Sequence, residues 1–447
     1  MSDTAAPAGQ AIPAVPAFSP GLPWLGPMLA YVRDPLGFSV AGYRACGPVF
    51  RTRLFGRRVL VLAGIEANRL VWEQDQLWDF AVTGAIFREN FDATYLTQLD
   101  GPAHTRKRRR LQAGFKPQAL LGLSPLMSAA LVEELGAAEN TIVDLRLFCS
   151  RLVVCMSSRA LMHVRLPEGL DQRIAAFEHD LLFGGRLPPW LRKWWYGRRS
   201  YRRLKRELLA YIEQMLAEKK ANPSPAEDII SIIAKSPAEG EPPPGRDEMV
   251  TDIALLLLAG SNTTSSVILW SLLFVFSRPD WLASLREELK DWDPAHFTGM
   301  ADLPRLKATV LETERLRPAL PFAVRSAREA FLFHGHAFPA GTFFLHAATT
   351  THFLEEIYEK PLEFYPERFL PQGNPPAKAH ATFGGGSHVC LGQPLARIQE
   401  PLMLATLIQS YDLVCPKPPS LRPRLAAVLT PADKAIPARL VRRVQPA

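Results

Sequence analysis

Residues 253–276 carry no charged side chain and are long enough to cross a bilayer, so a membrane span must be considered first. The middle of the stretch argues against it. Ala259-Gly260-Ser261-Asn262-Thr263-Thr264-Ser265-Ser266 is a polar block with a helix-weakening glycine, and Asp252 and Arg278 close in on either side. A long helix buried inside a protein, its polar break turned toward a functional site, accounts for both features. Such a helix needs a large body of chain to cover it.

With 447 residues, 47% hydrophobic and 21% charged, the chain has the composition of a globular protein. No long Gly/Ser linker, charge block or repeat divides the interior, so one large domain over residues 21–447 is expected, behind a flexible Ala/Pro-rich lead-in over 1–20. The lead-in has neither the basic start nor the apolar centre of a signal peptide. Around Gly56, residues 49–62 alternate apolar with polar side chains and predict a strand pair. From Gly64 to about Arg315 the apolar periodicity is mostly helical. Residues 331–345 predict short strands turned at Gly335 and Pro339-Ala340-Gly341, followed by a last helix over 394–411 and an extended tail. The fold class is mainly α with small β-sheets (α+β).

Five cysteines, odd in number and without C-x-x-C spacing, argue against a disulfide framework or a structural zinc site and favour a reducing, cytoplasmic setting. A net charge of +8 does not by itself choose a partner, and no nucleic-acid motif accompanies the basic segments 106–110 and 192–206.

One cysteine stands apart. Phe383-Gly384-Gly385-Gly386-Ser387-His388-Val389-Cys390-Leu391-Gly392 precedes a helical pattern, and Phe383, Gly386, Cys390 and Gly392 share these offsets by chance on the order of once in a thousand chains. Glycines let backbone approach a flat ligand, backbone N–H groups can point at the sulfur, and the next helix's start favours thiolate over thiol. A lone buried cysteine would be an inert apolar residue; this loop builds a low-pKa environment instead.

By this loop the chain resembles the cytochrome P450 family, soluble bacterial type, whose heme loop reads F-x-x-G-x-x-x-C-x-G. The resemblance runs from about Pro20 to the C-terminus. It implies a single domain around a buried heme b, with Cys390 as the iron's axial ligand, a thiolate that promotes O–O cleavage. It also implies Phe383 beside the sulfur, Gly384, Gly386 and Gly392 against the cofactor, and His388 on a heme propionate.

Three further segments extend the likeness. Glu312 and Arg315 are spaced i, i+3 and share a helix face, although Glu314 and Arg317 offer a second match in the same segment. Pro318, strands, and Phe364-Tyr365-Pro366-Glu367-Arg368-Phe369 follow in the family's order, which implies that Glu312, Arg315 and Arg368 form a buried structural triad. His104 and Arg108, spaced i, i+4, can address one anionic group while Arg106 and Arg110 face elsewhere. The resemblance puts His104 and Arg108 on the propionates, with Arg325 as a third such position. In the oxygen-activating helix the family reads Ala/Gly-Gly-x-Asp/Glu-Thr, whereas here Asn262 holds the acid's place. Ala259 and Gly260 loosen the helix beside the heme, and the Thr263 hydroxyl can donate to reduced oxygen. Thr263 and Asn262 are the expected catalytic residues. An amide cannot titrate near neutral pH, so Asn262 is expected to order a water that carries protons.

No flavin, iron–sulfur or nicotinamide motif is visible, so electrons would come from a separate ferredoxin or flavodoxin with its reductase, docking on the bases at 106–110. The segment Leu187-Pro188-Pro189-Trp190-Leu191 through Trp194, Trp195, Tyr196 and Arg198 to Arg203 would roof the substrate entrance. Core packing of its tryptophans is expected, with peripheral membrane contact near Trp190 and Arg203 as the other reading. Pocket linings are expected from the loop 80–99, from Leu255, Leu258 and Ala259, and from residues 319–324, including Phe322 and Val324. They imply a lipophilic substrate, terpenoid, sterol-like or fatty, of the kind met in secondary metabolism. The expected activity is that of a monomeric monooxygenase. An isomerase, dehydratase or peroxygenase needing no external electrons is the alternative that Asn262 keeps open, and a heme sensor or carrier is a third reading.

Overall fold

The computed structural model describes residues 14–21, 26–54, 56–80, 85–185, 187–222, 228–235, 243–370, 378–426 and 428–443. The alternation around Gly56 gives a hairpin in which β1 (Val49–Leu54) and β2 (Arg57–Ala63) pair antiparallel, Val49 opposite Leu62. Two later strands, β3 (Ala323–Ser326) and β4 (Phe343–Ala347), complete a sheet ordered β1-β2-β4-β3. β4 runs parallel to β2 and antiparallel to β3. Between them Phe331–Phe333 and His336–Phe338 form the small hairpin expected at Gly335.

Residues 1–13 of the expected lead-in lie outside the described residues, but its last part belongs to the fold. Arg51 N–H donates to Pro16 O at 2.8 Å and Phe18 N–H to Arg51 O at 2.9 Å, while the Phe18 ring meets Phe38 and Phe50 edge-on at 5.2 and 5.7 Å. Edge hydrogen bonds and a partly buried ring thus overcome the segment's proline-rich looseness.

The helices that matter for the site are α1 (Ile65–Glu73), α2 (Gly101–Gln112), α3 (Ser124–Ala137), α4 (Leu145–Met162), α5 (Leu170–Gly184), α6 (Pro189–Gly197), α7 (Arg199–Ala221), α8 (Arg246–Phe276), α9 (Pro304–Leu316) and α10 (Gln393–Ser410). α8 contains the charge-free stretch. Among the described residues it is the one unbroken helix long and apolar enough to cross a membrane, yet most of that window is buried against α4, α5, α7, α9 and α10. Its polar block finds partners inside the protein. Ser261 Oγ donates to Glu178 Oε2 at 2.7 Å, Ser265 Oγ to Asn262 O at 3.2 Å, and Ser266 Oγ to Leu429 O at 2.6 Å. A buried hydroxyl without a partner costs about 1–3 kcal/mol, a penalty that these contacts remove and lipid would not.

Of the tryptophans expected in the core, only Trp195 is held inward. Its Nε1 donates to Asp180 O at 2.9 Å and the Arg198 guanidinium lies 3.3 Å over its ring. Trp190 and Trp194 are 74% and 62% exposed, because the nine-residue α6 turns just one side to α5.

Candidate active site

The cysteine loop is shaped by its own backbone and by α1. Cys390 N–H donates to Phe383 O at 2.9 Å, and Gly384 and Gly386 both adopt φ of 69°, a conformation open to glycine. A Cβ on Gly386 would stand 2.5 Å from the Trp72 carbonyl oxygen, so this glycine also lets the loop seat on α1. Around the sulfur, the backbone N–H groups of Gly392 and of Gln393, the first residue of α10, and the Arg108 guanidinium all draw the Cys390 thiol's pKa down. These contacts favour thiolate and oppose burial, which pushes the thiol up. Cys149 and Cys155 have only burial and acidic neighbours to answer to, apart from one backbone N–H and Arg151 respectively, and both thiols are pushed up to about 12. Cys390 is the exposed cysteine of the five.

Beside the loop the structure gathers the four bases predicted to hold propionates. The His388 ring is sandwiched between Phe80 at 3.5 Å and His104 at 3.8 Å, and Arg325 lies 4.7 Å over Phe80. Arg108 Nη2 donates to Val389 O at 2.6 Å. Burial and mutual repulsion push His388 down to about 3, while burial, above all, pushes Arg325 down to about 10. His104 Nε2 and Arg325 Nε are buried and have no hydrogen-bond partner among the described residues. Bases so crowded call for an anion. A heme dianion beside a cysteine sulfur fits this donor set, and bound there it would supply the iron that activates O2.

Behind the loop, Glu312 and Arg315 are fully buried on α9. Arg315 Nε and Nη2 meet the Glu312 carboxylate at 2.7 and 2.8 Å, and Arg368 Nε joins it at 3.1 Å. Arg315 Nη1 also donates to His352 O and Pro361 O at 2.6 and 2.7 Å. The overlapping match is not a pair. Glu314 bonds Arg397 of α10 at 2.7 Å, while Arg317 lies 5.0 Å over Trp270.

On α8 the open face is Leu256, Ala259, Gly260 and Thr263, spaced i, i+3, i+4 and i+7. A Cβ on Gly260 would meet nothing within 4 Å. Leu255 and Leu258, expected to line the pocket, are 7% and 2% exposed and belong to the helical core. One residue of error turns a helix by 100°, and that is the size of this miss. Phe322 packs against Tyr31 and the sheet cluster of Phe38 and Phe50, whereas Val324 is 41% exposed. Of the loop 80–99, residues 81–84 lie outside the described residues. Ala259→Leu is therefore expected to weaken lipophile binding at least tenfold with stability changed by under about 0.5 kcal/mol. Leu258→Ala should instead cost about 2–5 kcal/mol through a core cavity. Spectral titration with a lipophile and urea unfolding separate the two.

Thr263 Oγ1 donates to Ala259 O at 2.9 Å, so donating into the open face requires rotation about χ1. Asn262 meets a residue that sequence reading missed. Glu178 of α5 accepts from the adjacent Ser261 at 2.7 Å, the Asn262 amide and backbone N–H draw its pKa down from nearby, and burial outweighs them, pushing the carboxyl up to about 8. The signal was an acid at one of four helically spaced positions on α5, among the buried Ile174, Phe177 and Leu181. Between the usual carboxylate pKa and about 8 the folded chain holds a proton that the unfolded chain has released, so stability falls as pH rises through that window. Glu178→Gln should flatten the decline, as urea unfolding from pH 5 to 8 can measure.

Also unforeseen is the use of Lys107 and Arg110. Lys107 Nζ reaches Asp252 of α8 at 2.6 Å and Glu248 at 2.9 Å, and Arg110 Nη2 reaches Asp252 at 2.9 Å. Arg110 therefore does not belong to the exposed basic face of α2, which carries Arg106 and Arg109.

A mainly helical domain with a small sheet, a cysteine loop at the start of α10 and a buried cluster of bases define a heme-dependent oxygenase. The chain belongs to the cytochrome P450 family, whose model, described as Cytochrome P450, matches residues 16–437. It is similar to a putative cytochrome P450 120 from Synechocystis, 29% identical with 88% of this chain and 89% of that one covered. It is also similar to a sterol 14alpha-demethylase from Mycobacterium bovis, 24% identical with 91% and 93% covered. Among solved structures, retinoic-acid-bound cyanobacterial CYP120A1 superposes with a TM-score of 0.83 at 26% identity, covering 97% of this chain and all of that one. The protein is thus a monooxygenase that uses heme b, O2 and electrons from an external donor.

Proposed function

We propose that the protein inserts one oxygen atom from O2 into a lipophilic, isoprenoid-like or fatty small molecule, and that Cys390 would hold the heme iron by its sulfur. The observation that carries this reading is Cys390 at the start of α10, beside the clustered bases His104, Arg108, His388 and Arg325. His104, Arg108, His388 and Arg325 hold the propionates, Phe383 covers the sulfur, and Glu312, Arg315 and Arg368 brace the loop from behind. Ala259, Gly260 and Thr263 form the wall at which oxygen and substrate meet. Retinoic acid in a solved relative and the sterols of the demethylases support an extended apolar substrate.

Electrons come from a ferredoxin or flavodoxin in the cytoplasm, received on the outward bases Arg106 and Arg109. The exposed Trp190 and Trp194, with basic residues beside them, suit a peripheral approach to a lipid surface from which such substrates are drawn. The test is a panel of retinoids, sterols and fatty acids, scored by the spin-state shift of the heme band and then by turnover. Product formed with a ferredoxin or flavodoxin system plus O2 supports the reading. Product formed only with peroxide, or with no oxidant at all, would overturn it in favour of a peroxygenase or an isomerase.

A further inference from the structure

We propose that Glu178 on α5 supplies the protons that an acid at position 262 of α8 would otherwise handle, passing them through Ser261 and Asn262 toward Thr263. The proposal deepens the oxygenase reading above and rests on it. Each oxygen insertion consumes one substrate, one O2, two electrons from the external donor and two protons, and yields the hydroxylated product and one water. The amide of Asn262 can relay hydrogen bonds but cannot release a proton at neutral pH. A titratable group must stand nearby.

Glu178 is 5% exposed, and Ser261 Oγ donates to its Oε2 at 2.7 Å. The amide and backbone N–H of Asn262 stand near enough to the same carboxyl to draw its pKa down. No ion pair involves Glu178 among the described residues. An acid neither exposed nor paired with a base is a costly acceptor for the Ser261 hydroxyl, since a neutral amide could accept the same bond without a carboxyl to desolvate. Thr263, the next residue along, opens on the same side as Ala259 and Gly260, so the polar chain runs from one side of α8 round to the other.

The surrounding charges leave Glu178 as the titrating group. Asp252 on α8 is neutralised by Lys107 and Arg110 of α2. Tyr95, ahead of α2, has its hydroxyl pushed far up by burial and by the charges of Glu178 and Asp252. Tyr201 of α7, stacked on Phe177, donates to Asn90 Oδ1 at 2.6 Å and is likewise held protonated. Burial pushes Glu178 up to about 8, where an acid can both give and retake a proton. On giving one, its carboxylate is held by the Ser261 hydroxyl until a solvent proton restores it.

The test uses the full-length heme protein. A carboxylic-acid C=O infrared band titrating at about pH 8 is expected, absent in Glu178→Gln. In that variant the ratio of product to electrons consumed should fall at least fivefold, with peroxide making up the difference. Moving the acid across the helix contact, in Glu178→Gln with Asn262→Asp, should restore most of the coupling. The parent's coupling should decline above about pH 8, and that of Glu178→Gln should not change with pH there. Parental coupling in Glu178→Gln, or no titrating band, overturns the proposal. Failure of the oxygenase reading is distinguishable, because the parent itself would then lack the thiolate signature in its reduced carbon monoxide spectrum.

Discussion

Cys390→Ala folds, yet loses the reduced carbon monoxide spectrum of a thiolate-ligated heme and at least ~10³-fold in monooxygenase turnover, the scale expected when the group on which the chemistry depends is removed. The reason for a folded product lies in the loop. Its shape is set by the Cys390 backbone N–H on Phe383 O, by Gly384 and Gly386 in conformations no side chain favours, and by the seat of Gly386 on Trp72. Cys390 is exposed as a residue and, although its thiol is crowded enough to be pushed up, it belongs to no hydrophobic core cluster, so the unliganded protein should lose less than about 1 kcal/mol in urea unfolding. Cys149→Ala is the control, since that thiol is buried in the helical core and its loss should leave the spectrum unchanged. A thiolate spectrum surviving in Cys390→Ala would remove the axial ligand from this loop.

The legible parts of the molecule were those written in consecutive residues. The cysteine loop needs backbone groups within ten positions of one another, and the pair on α9 needs one helical turn, so each carries its geometry in its spacing. Strand alternation at Gly56 and Gly335 was local in the same sense. What could not be read depends on partners far along the chain. Glu178 and Ser261 are 83 residues apart, and Arg110 and Asp252 are 142 apart, so no spacing joins them. The rotation of α8 was lost for another reason. A helix buried nearly all round has no apolar stripe to give its phase, and Leu255 and Leu256 were equally good candidates until the fold assigned one to the core and the other to the open face. The glycines were legible as a motif but not in purpose, because only the fold shows that Trp72 lies against them.

Arg315→Leu is expected to cost about 3–5 kcal/mol, the scale for breaking a buried ion pair, against a total stability of about 5–15 kcal/mol. The substitution strands a fully buried Glu312 carboxylate and frees the carbonyls of His352, Pro361 and Glu363. Those carbonyls belong to the segment whose Tyr365 N–H and Arg368 also bond Glu312, so the loss spreads from α9 through residues 352–368 toward the cysteine loop. Heme retention on dilution should therefore fall together with the urea midpoint. Arg315→Lys keeps the charge but has one nitrogen for five acceptors, and is expected to lose heme nearly as readily. Arg317→Ala, the overlapping match, removes a ring contact and a bond to Leu421 O and should cost only about 1 kcal/mol. Joint replacement of Glu312 and Arg315 by leucine should cost less than the sum of the single changes, because the two charges go together and the remaining Arg368 keeps the carbonyls of Glu359 and Lys360. Additive losses, or an Arg317→Ala variant as damaged as Arg315→Leu, would mean that the charge pair is not what holds the loop's support. Whatever fraction of Arg315→Lys keeps its heme at low temperature should turn over at the parental rate, since the guanidinium braces the site and touches neither oxygen nor substrate.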